Sequence, residues 1–182
     1  MGQYRILANW DKKEWVDPHK IGLGLKQAEQ IGAFHASMGD ILYLLVSISN
    51  GRGGGDVPTE GLEDILGRWA GDRVLVVGDY SEEGDVNIVG DDGLFINPRK
   101  EIYTPCQDRA HPQYSEWDDI SIMIDHMIEA LWGYRMSGGG WRSRKLVQTG
   151  TYLGPWKGEI EEDNIQDATM RPNMVIGIKK EE

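Results

Sequence analysis

The sequence predicts an α+β fold: a single domain with a small mixed or antiparallel sheet, packed by two main helices at about 34–49 and 117–134. Three observations carry this. Strand-like and helix-like segments mix without the steady βα alternation of a doubly wound sheet. Two segments, one in each half, repeat apolar residues at helical spacing. The 182 residues are enough for one domain that buries roughly 70% of its unfolded surface, with no need of a disulfide or a metal.

The elements follow in order. Tyr4 to Trp10 and Glu14 to Asp17 are aromatic and β-branched runs around the polar turn Asp11-Lys12-Lys13, which predicts a hairpin that Pro18 ends. Gly22 and Gly24 imply a turn, and a short helix follows over Leu25–Gln30. From Phe34 to Ser49, Met38, Ile41, Leu42, Leu45 and Ile48 share one helical face. Asn50 to Pro58 is the clearest loop. Leu62, Ile65, Leu66 and Trp69 predict a helix over Glu60–Trp69, stopped by Gly71. The near-continuous apolar run Arg73–Val77 predicts a central strand buried on both faces. Ser81 to Asp92 holds five acids and no base, as a solvated, variable connection does. Gly93–Pro98 and Glu101–Pro105 are strand candidates. Ile120, Ile124, Met127, Ile128 and Leu131 mark the helix Trp117–Tyr134, with Ser115 and Asp118 as a capping box. Lys145–Tyr152 and Met174–Ile178 are the last strand candidates. Residues 1–80 thus form a core, 81–116 an acidic connection, and 117–182 a helix with C-terminal strands.

Charge and cysteine content exclude several functions. Nineteen basic against thirty acidic residues give a net charge of −11, which argues against general nucleic-acid or membrane binding. No apolar stretch approaches the ~18 residues that cross a bilayer, and the N-terminus lacks a basic-then-apolar signal pattern, so a cytoplasmic protein is expected. The single Cys106 rules out an internal disulfide and a thiolate-clustered zinc site.

Several constellations can carry chemistry. The loop Asn50 to Asp56 sets Gly53, Gly54 and Gly55 beside Arg52: backbone N–H groups can turn toward an anion while Arg52 supplies charge. It lacks the Gly-Lys-Ser/Thr of a P-loop, and a plain surface turn is the commoner use of such glycines. Arg68 and Arg73 can each hold a phosphate or a carboxylate, or pair internally with acids, with Trp69 as a core residue. Asp79 sits at the exit of the strand, where functional side chains gather. Asp17 and His19 flank a proline corner, so His19 can be a base oriented by a carboxylate, or a hydrogen-bonding surface residue. The histidines fit no metal spacing, and no cofactor is called for; carboxylates Asp56 and Asp79 leave an option for Mg²⁺. Trp141, Arg142 and Arg144 form an aromatic and basic stretch that suits a base and a phosphate, or a packed tail.

Met1-Gly2-Gln3-Tyr4, Asp11-Lys12-Lys13-Glu14-Trp15-Val16-Asp17-Pro18-His19, Gly51-Arg52-Gly53-Gly54-Gly55-Asp56 and Gly67-Arg68-Trp69-Ala70-Gly71-Asp72-Arg73 with Gly78-Asp79-Tyr80 resemble, in order, the blocks of an uncharacterised family of bacterial and bacteriophage proteins. The resemblance covers about residues 1–80 and departs at Arg5 and Trp10, where the family has an aromatic and a leucine. It implies a stand-alone small protein, often carried by phages, and no mechanism.

Three functions follow as expectations. One is a cytoplasmic binding protein for a small phosphorylated ligand, a nucleotide or nucleotide-derived signal, which a phage would use to sequester a host defence signal. The second is a hydrolase of such a ligand, with Asp17, His19 and Asp79 as catalytic candidates. The third is a structural or protein-interaction domain. The partner expected is a small anionic ligand, with homo-oligomerisation left open.

Overall fold

The computed structural model describes residues 2–31, 37–52, 57, 59–108, 115–132, 134–137, 145–148, 159–160 and 178–179. The predicted hairpin is present as β1 (Arg5–Asn9) and β2 (Glu14–Val16), antiparallel with Leu7 opposite Val16 and Asn9 opposite Glu14. A third strand, β3 (Val74–Gly78), pairs antiparallel with the other side of β1, and β4 (Asp118–Asp119) adds in parallel to β2. The resulting sheet is mixed, in the order β3-β1-β2-β4. The fold is therefore α+β, as the mixed pattern predicts.

The expected central strand is a correction. Among the described strands β3 lies at an edge, and β1 and β2 are the strands with neighbours on both sides. Val76 is 51% exposed, so the apolar run is not buried on both faces. Its Leu75 and Val77 point to one face and Val74 and Val76 to the other, and an edge strand leaves the second set half open.

Alternation along the strands builds two apolar layers. Leu7 and Val16 face α2 (Met38–Val46), the segment Leu62–Trp69 and α4 (Ser121–Trp132). Ile6, Ala8, Trp15 and Val77 face Ile88, Ile96, Ile102, Cys106 and Trp117. The second layer corrects the idea of 81–92 as a merely solvated connection: its carboxylates at Glu82, Glu83, Asp85, Asp91 and Asp92 are exposed, but Ile88 is buried against the sheet.

Each helix has a local cause. Ser37 caps α2: its hydroxyl accepts from Asp40 N–H at 3.1 Å, and the Asp40 carboxylate accepts from Ser37 N–H at 2.8 Å. Met38, Ile41, Leu44 and Leu45 are buried, whereas Ile48 is 78% exposed because α2 ends at Val46. The predicted face of α4 is buried at all five positions, from Ile120 to Leu131. Its start differs: Asp119, not Ser115 with Asp118, accepts from Ser121 N–H at 2.9 Å. A short helix α1 covers Gln27–Gln30.

Two further expectations are overturned. Glu60–Trp69 is a chain of overlapping turns rather than a helix, interrupted by left-handed Gly61 and Gly67. Leu62, Ile65 and Trp69 are nevertheless buried, because successive turns preserve the one-sided spacing. Glu101–Pro105 is not a strand: a π-helical turn, Arg99–Tyr103, runs into α3 (Thr104–Gln107). The Asn97 side chain accepts from Lys100 N–H at 3.1 Å and Glu101 reaches back to Asn97 N–H at 2.7 Å, and this reciprocal cap outweighs the strand preference of Ile102 and Tyr103. Phe95 makes only an isolated bridge to Val89.

Two separate pairs follow: β5 (Tyr134–Ser137) with β6 (Lys145–Gln148), and β7 (Glu159–Ile160) with β8 (Ile178–Lys179). The rest of the candidate strands Lys145–Tyr152 and Met174–Ile178 lies outside the described residues. Among the described residues no helix is long and apolar enough to cross a membrane.

The inversion of centre and edge is testable. Leu7→Ala should cost about 2–5 kcal/mol, the range for a buried leucine, and Val76→Ala in dilute protein under ~1 kcal/mol. Urea denaturation giving equal losses would contradict the strand order.

Candidate functional site

The sheet has two polar ends, and they differ in what their charges do. At the hairpin end, Asn9 and Glu14 lie on the apolar face beside Leu7 and Val16, and both are buried. A buried carboxylate must be paired and hydrogen-bonded. Arg68 supplies a two-pronged grip, Nε to Oε2 at 2.8 Å and Nη2 to Oε1 at 2.5 Å, and Trp69 Nε1–H donates to Oε2 at 2.7 Å. Burial by itself pushes the Glu14 pKa up; the hydrogen bonds from Arg68 and Trp69, with the charges of Arg68 and Lys12, outweigh it and hold the pKa below its ordinary 4.5. The same hydrogen bond raises the pKa of Arg68.

Around this pair the turn is closed by further ion pairs. Arg73 donates from Nε to Asp11 Oδ1 at 2.8 Å and from its backbone N–H to Oδ2 at 2.6 Å, which lowers the Asp11 pKa. Asn9 donates to Asp72 at 2.8 Å and accepts from Lys12 N–H at 3.0 Å, while Lys12 Nζ stands 3.1 Å from Asp72 and donates to the Arg68 carbonyl. Lys13 is left-handed at φ 54°, unusual for a residue with a Cβ. That conformation holds its ammonium 3.4 Å over the Trp10 ring and 5.0 Å from the Trp117 ring. Gly67 is required here. It is left-handed, its N–H donates to Leu44 O at 2.9 Å, and a Cβ would stand 2.4 Å from the Ser47 carbonyl.

Of the sequence-predicted anion contacts, Arg68 and Arg73 therefore already hold the chain's own carboxylates, and Trp69 is fully buried. Glu14 and Asp11 were not foreseen as their partners; the signal was available in the hairpin, where alternation aims Glu14 inward with Val16. Arg52 is exposed on the turn that leaves α2, and it enters none of the ion pairs among the described residues. Gly53, Gly54, Gly55, Asp56, Trp141, Arg142 and Arg144 lie outside the described residues.

The opposite end gathers the three acid–base candidates. Alternation places Tyr4, Asp17 and Asp79 on the same face as Ile6, Trp15 and Val77. Asp79 Oδ1 accepts from Tyr4 N–H at 3.0 Å, and Asp79 N–H donates to Tyr4 O at 3.1 Å. Asp17 is fully buried; its Oδ1 accepts from His19 N–H at 2.9 Å, and its own N–H donates to Ser121 Oγ at 2.7 Å. The Ser121 hydroxyl donates to Asp119 Oδ1 at 2.5 Å, and Lys20 Nζ pairs with Asp119 Oδ2 at 2.5 Å. Tyr103, which the sequence did not single out, looks onto this end from the π-helical turn. Burial first, then the negative charges of Asp79 and Asp17 and the nearby Tyr4, push its hydroxyl up to about 12. A phenol so held stays protonated at neutral pH.

His126 on α4 is exposed, and Cys106 is buried, with its thiol pushed up by burial and then by Asp119, so it is unreactive. Among the described residues no group of three or more His, Cys, Asp or Glu side chains is placed to hold a metal ion. Arg52 and the acid–base candidates are not brought together. Its turn leaves α2 beside Gly67, on the Glu14 side, and Glu14 and Asp17 are about 10 Å apart along the strand.

No protein-family model, curated protein or solved structure matches the chain.

Two outcomes test the hairpin end. Glu14→Gln should destabilise by roughly 3 kcal/mol at neutral pH, because Arg68 loses its counter-charge in a half-buried site. Since the folded pKa of Glu14 is depressed, its contribution is present above 4.5 and is lost as pH falls through the lower folded value. The parent should therefore lose stability over that acid range more steeply than Glu14→Gln, as chemical denaturation at a series of pH values would reveal. Trp69→Ala should cost about 3–5 kcal/mol; an unchanged melting temperature would show that its indole is not part of the core.

Proposed function

We propose that the protein binds a small phosphorylated ligand, a nucleotide or a nucleotide-derived signal, with Arg52 as the contact to its anionic group. One observation carries this: Arg68 and Arg73 are each engaged by a carboxylate, whereas Arg52 stands exposed on a glycine-bearing turn and outside those pairs. At a net charge of −11 the protein repels anions at long range, so an anion site has to be built locally. A guanidinium offers two parallel donors to phosphate oxygens, and glycines allow consecutive N–H groups to point the same way. Gly51 is left-handed, and Gly53 to Gly55 follow it in sequence. The family resemblance would place such a module in a phage, where holding a host signal would act against defence.

The convergence of Asp17, Asp79 and Tyr103 at one end of the sheet favours a second reading, a hydrolase for the same ligand class. A carboxylate there would act as base and the protonated phenol would donate, with Mg²⁺ as an option at Asp79.

Incubation with a nucleotide panel followed by mass spectrometry separates the two: intact retained ligand supports binding, and altered ligand supports hydrolysis. Arg52→Ala should weaken binding by about 1.5–3 kcal/mol, the range for a charge-assisted hydrogen bond, with the melting temperature unchanged. Retention of every bound nucleotide at parental affinity by Arg52→Ala would remove the turn from the site.

A further inference from the structure

β3 has one neighbour among the described strands, β1, and its outer edge is selectively open. Arg73 O accepts from Trp10 N–H, and Asp79 N–H donates to Tyr4 O, so the odd-numbered residues of this strand aim their backbone groups at β1. Antiparallel alternation then aims those of Val74, Val76 and Gly78 outward. Gly78 is already sealed: its N–H donates to Ser81 Oγ at 3.1 Å, and its carbonyl accepts from Ser81 N–H at 3.1 Å. Val74 and Val76 have no such cover among the described residues, and their side chains share one face, Val76 half exposed.

We propose that this edge joins two copies of the chain, β3 against β3, antiparallel about a two-fold axis at Leu75. The symmetric register sets Val74 of each copy opposite Val76 of the other, and each such pair exchanges both its hydrogen bonds. Pairing centred one residue further on would set Val74 against the sealed Gly78. The side chains agree with the backbone. Val76 covers Val74 of the second copy on one face. On the other face Arg73, whose Nε and Nη2 stay on Asp11, stands one diagonal step from Asp79 of the second copy, with Nη1 left to reach it. That contact occurs twice, and no like charges are opposed. A two-fold interface has to be self-complementary, and here the open donors, the open acceptors, the valines and the charges all are. This inference is independent of the Arg52 site.

Sedimentation equilibrium on the full chain tests it. A single strand edge is a small interface, so the dimer should have a Kd of roughly 1–50 μM and fall apart on dilution. Val76→Lys should weaken association at least about 10-fold with an unchanged circular dichroism spectrum. In the parent, the amides of Val74 and Val76 should exchange more slowly as concentration rises, a readout that needs no variant. A parent that is monomeric at about 100 μM, a Val76→Lys variant that dimerises like the parent, or Val74 and Val76 exchange that ignores concentration would each overturn the proposal.

Discussion

The carboxylate of Glu14 is the constraint on which the hairpin end depends. Removing it from water without partners would cost several kcal/mol, so the fold brings Arg68 and Trp69 to it across more than fifty residues of sequence. Doing so fixes other things at once. Trp69 N–H bonds to Leu45 O and Gly67 N–H to Leu44 O, so the turn segment that holds Glu14 also seats the end of α2. The following residues, Asp72 and Arg73, then meet Asn9, Lys12 and Asp11 and lead directly into β3. One buried acid thus links the hairpin, a helix and the third strand. Its neighbours Leu7, Val16, Ile65 and Trp69 supply the apolar burial that makes the arrangement favourable.

What the sequence made legible was periodicity, and what it hid was pairing over distance. The hairpin, α2 and α4 are all visible in the spacing of Ile6, Ala8, Ile41, Leu45, Ile124 and Ile128, because local alternation decides which side of an element is buried. The rank of β3 in the sheet was not visible. An edge strand carrying Leu75 and Val77 on its core face, with Val74 and Val76 behind, has the composition of a central one. The turns of 60–69 imitate a helix for the same reason. The helical turn at 99–107 was hidden by Ile102 and Tyr103, whose strand preference is overruled by the Asn97–Glu101 cap. At the site, Arg68 and Arg73 were noticed without their partners, since a sequence displays charges and conceals which of them meet.

The two ends of the sheet put similar residue types to opposite uses. At one end, acid and base are matched closely: Glu14 with Arg68, Asp11 with Arg73, Asp72 with Lys12. At the other, Asp17 and Asp79 face a phenol whose ionisation they oppose. The first arrangement holds a turn in place. The second sets two carboxylates near a phenol that burial and their charge keep protonated.

The parallel pairing of β4 with β2 has a consequence for synthesis. Asp17 N–H reaches Ser121 Oγ across 104 residues, and Trp15 O accepts from Ile120 N–H over a similar separation. A chain emerging from the ribosome can close the hairpin at once, and can clasp Glu14 as soon as Trp69 is free. β2 must still wait for its outer neighbour β4, and Val16 for the part of its cover that α4 supplies, until residues 118–132 have been translated. Contacts of such range form slowly and leave apolar surface open meanwhile. The nascent protein therefore passes through a partly folded stage whose lifetime is set by translation, and it is at that stage that chaperones would be needed.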